Sequence, residues 1–81
     1  MTVRFAEGDW ATIAAGDLRG MHVRRYIRIP LAPGGELLGE LLQVSRWTEI
    51  VLAYVREAGE NHAGLHILPL DLPVKVVTHG R

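Results

Sequence analysis

The chain contains no cysteine. A disulfide framework and a cysteine-based zinc site are thereby excluded, and the redox compartment is left open. It also lacks an excess of either charge: nine basic residues balance nine acidic ones. Proteins that coat nucleic acid by charge alone neutralise phosphates with surplus Lys and Arg, so that class is disfavoured and only a local basic patch stays open. Long apolar runs are missing too. Nothing approaches the roughly 20 apolar residues of a membrane span, and the opening MTVRFAEGDW has no signal-peptide core. The expectation is a soluble, cytoplasmic protein with no membrane partner. Lysine is nearly absent, with Arg supplying eight of the nine basic residues. That bias fits the GC-rich coding of some bacterial and phage genomes.

Catalytic constellations are absent as well. There is no cysteine nucleophile, no Gly-x-Ser-x-Gly elbow and no phosphate-cradling glycine loop. Ser45 stands alone beside Arg46 and Trp47 and reads as a turn residue. Asp71, between Leu70 and Leu72, reads as a turn former. The histidines are 22, 62, 66 and 79. His62 and His66 are four apart, but Gly64 interrupts the segment and a strand follows, so the shared helix face that a metal pair needs is not formed. No catalytic residue, metal or cofactor is expected.

What is present is a small globular domain, spanning 1–81. Hydrophobic residues make up 48 % of the chain and charged ones 22 %, outside the range of disordered segments. Gly and Pro punctuate it at short intervals. The one helix candidate is GDWATIAAGDLRG, over about residues 9–16. Asp9 can act as N-cap, Gly16 suits the position past the C-terminus, and Trp10, Ile13 and Ala14 share a face. Such a helix is one to two turns long and depends on docking, with Trp10 in the core holding it down. A strand reading of DWATI competes with it.

From residue 21 the pattern is β. MHVRRYIRIPL alternates over most of its length. APGG is a turn, followed by a second strand, ELLGELLQVS, and RWTE is a tight connection. IVLAYVRE is a third strand, LHILPL a fourth that Pro69 ends or places at an edge, and VKVV a fifth. Strands within 21–77 joined by tight turns point to a strongly bent five-stranded antiparallel sheet or small barrel, mainly β, behind a short N-terminal helix. Gly39, in mid-strand, suits a sheet that folds over itself.

The spacing of Gly39, Leu41 and Val44, followed by Ser45 and then Ile50, Val51 and Leu52, resembles the first motif of the Sm-like proteins. Gly20 and Val23 stand where that family's first strand begins. The end of the chain, LHILPLDLPVKVV, is similar to the barrel domain of the bacterial ribosome-maturation factor. The resemblance spans residues 17–77 and implies a short helix followed by a five-stranded bent sheet. Sm-like RNA binders carry Asp and Asn where this chain has Ser45 and Glu49, and an Arg-Gly pair where it has Leu68-Pro69. The family's RNA pocket is therefore not carried over, and fold alone does not confer function.

Two surfaces compete for a role. HVRRYIRI, residues 22–29, read as one strand, puts His22, Arg24, Tyr26 and Arg28 on a single face. Arg24, Tyr26 and Arg28 there could bind phosphate and stack a base. Against this, Glu36 and Glu40 on the next strand are placed to neutralise two of the arginines. Arg25 falls on the apolar side, where an unpaired guanidinium is not tolerated. A bulge re-aims it, the strand bends there, or it meets a partner's carboxylate.

The second and third strands are apolar on both faces. Leu37 and Leu41 lie on one, and Leu38, Leu42 and Val44 on the other. A small barrel has one interior, so the other face needs a cover, either the helix and termini or another molecule. The interface candidates are Arg25, Leu38, Leu42, Trp47, Val51 and Val55. The expectation is a non-enzymatic interaction or assembly module, a homo-oligomer or the partner of another protein. A nucleic-acid-binding barrel is the alternative.

Overall fold

The structure, a computed structural model, describes residues 7–78. Six strands form one antiparallel sheet: β1 (Trp10–Ala14), β2 (Tyr26–Pro30), β3 (Glu36–Arg46), β4 (Ile50–Glu57), β5 (Ala63–Pro69) and β6 (Pro73–Val77). Their order across the sheet is β1-β6-β2-β3-β4-β5. Among the described residues β1 and β5 each pair on one side only, so the sheet is not closed into a barrel. Single 3₁₀ turns cover Glu7–Asp9, Ala15–Asp17 and Gly20–His22.

The helix expected over residues 9–16 is not formed. Residues 10–14 are β1, registered on β6 from Trp10 opposite Val77 to Ala14 opposite Pro73. A helix of this length is marginal. In the strand, Ala11 and Ile13 sit beside the buried Val76 and Val74, and the backbone gains a complete ladder. Trp10 consequently lies on the opposite, outer face rather than in the core.

The concave face of the sheet holds the core. Ile27 and Ile29 of β2, Leu37 and Leu41 of β3, Val51, Ala53 and Val55 of β4, Leu68 of β5, and Val74 and Val76 of β6 are all buried there. At one end the chain after β1 turns inward. Ala15 donates its amide to the Leu72 carbonyl and Gly16 donates to Leu70, both at 2.8 Å. This corner carries Ala15 and Leu18 into the core.

Two features interrupt the regularity of β3. Gly39 lies so close to β4 that a Cβ there would fall 2.6 Å from the Arg56 carbonyl oxygen and 2.6 Å from a Val55 methyl. Only glycine tolerates that approach. Two residues on, the register slips between Leu41 and Gln43. This β-bulge places Leu42 as the extra residue. The bulge inverts the alternation, so Val44 packs against the core on the same side as Leu41. The sequence pattern placed Val44 with Leu38 and Leu42, because a simple two-residue period does not anticipate an inserted residue.

Candidate functional site

The basic stretch begins in a turn, not a strand. After the Gly20–His22 turn, Val23 has φ −63° and ψ 138° and Arg24 has φ 77°. Arg25 donates its amide to the His22 carbonyl at 3.1 Å. These are the dihedrals and the bond of a type II turn, with arginine where glycine is usual. Leu41 then bonds to two successive residues, accepting from Arg24 N–H at 2.6 Å and donating to Arg25 C=O at 2.9 Å. Two residues opposite one make a bulge. His22 and Arg24 therefore do not continue the face of Tyr26 and Arg28, which belong to β2.

The arginines are matched by carboxylates. Arg28 donates from Nη2 and Nε to Glu36 Oε1 at 2.7 and 3.0 Å. Its guanidinium also lies over the Trp10 ring, 5.1 Å from the centroid, a cation–π contact. Arg24 Nε is 3.2 Å from Glu40 Oε2, and Arg56 pairs with the other oxygen of Glu40. Three guanidinium groups thus share two carboxylates. Glu40 is well shielded, its side chain 13 % exposed, so these charges are engaged within the chain.

Arg25 is also spoken for. The bulge aims it at the end of β6, where Nη1 donates to the carbonyls of Val77 and Thr78, each at 3.1 Å. Arg25, named above among the interface candidates, thus finds acceptors within its own chain. Beside it, His22 Nδ1 accepts the Arg19 amide at 2.9 Å. Burial, and next the Arg25 guanidinium, hold the His22 pKa below its usual 6.5. His22 and Arg25 line a depression of about 190 Å³ with Ala11, Ile13, Val76, Val77 and Thr78.

A second depression, of about 380 Å³, brings His62 and His66 together with Glu57 and Glu60. Among the described residues no cluster of three or more His, Cys, Asp or Glu is placed to hold a metal ion. His79 lies outside the described residues.

The most distinctive surface is the outer face of β4 and β5. Leu52 stands opposite Ile67, and Tyr54 opposite Leu65. Leu65 is 58 % exposed, Ile67 64 % and Tyr54 41 %. A shallow groove of about 250 Å³ runs across this face between Gln43, Ser45, Leu52, Tyr54 and Leu65. The residues alternating with them, Val51, Val55 and Leu68, are buried in the core. Val51 and Val55, named above among the interface candidates, face the core of the chain instead of this surface. Leu38 is half-buried, registered on Arg28. Leu42 is half-buried at the bulge, and Trp47 is 59 % exposed at the β3–β4 connection.

Leu65 and Ile67 were not foreseen as surface residues. The signal was present: LHILP alternates, Leu68 is the one residue of β5 that reaches the core, and Pro69 marks a strand end or edge. Comparison with family models, with curated proteins and with solved structures finds no match for this chain. Among the described residues no helix is long and apolar enough to cross a membrane.

Proposed function

We propose that this chain is a non-enzymatic interaction and assembly module that associates with further copies of itself, on a small bent sheet of the Sm-like kind. The observation that carries the reading is the outer face of β4 and β5, where Leu52, Tyr54, Leu65 and Ile67 form one apolar patch on an edge of the sheet. Natural proteins usually protect an edge strand with charge, with a bulge or by keeping it very short. Here β5 runs seven residues and carries no Lys, Arg, Asp or Glu. Its only protections are Gly64 and the terminal Pro69. An apolar patch on an unprotected edge is the usual mark of an association surface.

The nucleic-acid reading rests on Arg24, Tyr26 and Arg28. The pairing of both arginines with Glu36 and Glu40 weighs against it. Sedimentation velocity across a concentration series tests the assembly reading. A species larger than the monomer is expected, and Ile67→Glu should return it to the monomer. A chain that sediments as a monomer at high concentration would overturn the proposal.

A further inference from the structure

The free edge of β5 has a specific geometry. Trp47 donates its amide to the Ile50 carbonyl and Ala58 donates to Leu38, both at 2.9 Å. These two bonds bracket β4. They show that Ile50 and Ala58, and by strict alternation Leu52, Tyr54 and Arg56, turn their backbone polar groups toward β3. Val51, Ala53 and Val55 therefore turn theirs toward β5, to Leu68, His66 and Gly64. It follows that the amides and carbonyls of Leu65 and Ile67 point away from the sheet, into the open edge. Among the described residues no strand pairs with that edge, and the two most exposed apolar side chains of β5 belong to residues whose backbone groups face it.

We propose that the occupant of this edge is the β5 strand of a second copy, paired antiparallel about a two-fold axis through His66. The inference rests on the self-association reading above and specifies its partner and register. β5 spans Ala63–Pro69, so a full-length overlap with itself is centred on residue 66. A two-fold axis normal to the sheet keeps outer face against outer face, as a C2 interface requires. In this register Leu65 lies opposite Ile67 of the second copy, and Ile67 opposite its Leu65. Both are hydrogen-bonded pairs, and each such pair exchanges two bonds.

The side chains fit the same register. On the outer face the four Leu and Ile side chains meet, continuous with Leu52 and Tyr54 of each sheet. On the inner face Gly64 falls opposite the buried Leu68 of the other copy, so no side chain is driven into it. Ala63 falls opposite Pro69, which has no amide to donate, and the ladder ends there. β1, the other edge, does not offer this: Thr12 is exposed at its centre, and none of the large exposed apolar residues lies on it.

Cysteine cross-linking tests the register, because the chain has no cysteine of its own. His66 and its symmetry mate form a non-hydrogen-bonded pair, with Cα atoms about 4.5 Å apart, within disulfide range. His66→Cys is expected to give a disulfide-linked dimer on mild oxidation, reversed by reductant. Leu65→Cys and Ile67→Cys, each alone, are expected to stay unlinked, since like positions are two residues out of step. Mixed together they are expected to cross-link to each other, a result that does not depend on how well the His66 variant folds. Self-linking of Leu65→Cys or Ile67→Cys in place of His66→Cys would overturn the register. A protein that associates but cross-links in none of these combinations would overturn edge pairing and leave self-association standing. A monomer throughout would overturn both.

Discussion

Arg25 closes the end of β6: its Nη1 lies 3.1 Å from the carbonyl oxygen of Val77, 52 residues away in sequence. The same nitrogen reaches Thr78 at 3.1 Å. Strand ends leave carbonyls without ladder partners, and a guanidinium supplies several donors in a fixed fork. A hydrogen bond from a charged donor contributes about 1.5–3 kcal/mol, less where water competes. Arg25→Met keeps the stem and removes the donors. It is expected to lower stability by about 1–2 kcal/mol in urea unfolding, or roughly 5–10 °C in Tm for a domain of this size. Its sedimentation should be unchanged, because the residue faces its own chain.

Arg24 is the strained residue of the same turn. Its φ of 77° is a left-handed conformation that costs a non-glycine residue on the order of 1 kcal/mol. The compensating contact is the pair with Glu40, made by a side chain that is 70 % exposed. Such surface pairs contribute about 0–1 kcal/mol. Arg24→Gly is therefore expected to be neutral to stabilising, by up to about 1 kcal/mol. Arg24→Val, β-branched at the same φ, should destabilise. Paired chemical denaturation curves decide it. A clear loss of stability in the glycine variant would show that the ion pair outweighs the strain.

The parts of this fold that were legible in the sequence are those set by local pattern. The strands around Ile27 and Ile29, Val51–Val55 and Val74–Val76 follow from their alternation, and the close approach of β4 at Gly39 is marked by a lone glycine in an apolar run. The cross-strand partners Glu36 and Glu40 were readable from spacing within one hairpin. Three features depend on distant residues and were not. Residues 10–14 are a strand because β6, registered from Ala14 opposite Pro73 to Trp10 opposite Val77 and so distant in sequence, offers a free edge. The bulge at Leu42 moves Val44 to the core without altering the composition of the run. Arg25 reads as a misplaced charge until the end of β6 is brought beside it. The candidate association surface was half legible: two-sided apolar strands implied an uncovered face. Which face remained open depended on which side of β4 met the core.

His22 links stability to pH. Its pKa is held below 6.5 by burial and by the neighbouring Arg25, so the unfolded chain binds a proton more readily than the folded one. The stabilisation is then complete above the unfolded value and is lost as pH falls through 6.5 toward the lower folded pKa. Protonation at Nδ1 would also end its acceptance of the Arg19 amide. Stability should decline over that interval. His22→Asn, which keeps an acceptor but does not titrate, is expected to flatten this part of the profile. The check is thermal unfolding of both proteins from pH 8 to pH 5. Parallel curves for the two would assign the acid sensitivity to other groups.

The alternation along β4 and β5 separates folding from association. Val55 is 1 % exposed, inside the core beside the close approach of Gly39. Ile67 is 64 % exposed on the opposite face. Val55→Ala removes two buried methyl groups and leaves a cavity, at a cost of about 1.5–3 kcal/mol. Under conditions where that variant is folded, its tendency to associate should match the parent. Ile67→Ser changes a surface position, where substitutions away from buried contacts shift stability by about 0.5 kcal/mol or less. Measured at concentrations where the parent is monomeric, its unfolding should be almost unaffected, while association at higher concentration is lost. The two variants thus predict opposite outcomes in two assays, urea unfolding and sedimentation. If Val55→Ala abolished association while remaining folded, the interface would include the concave side of the sheet. The outer face of β4 and β5 would then not be its centre.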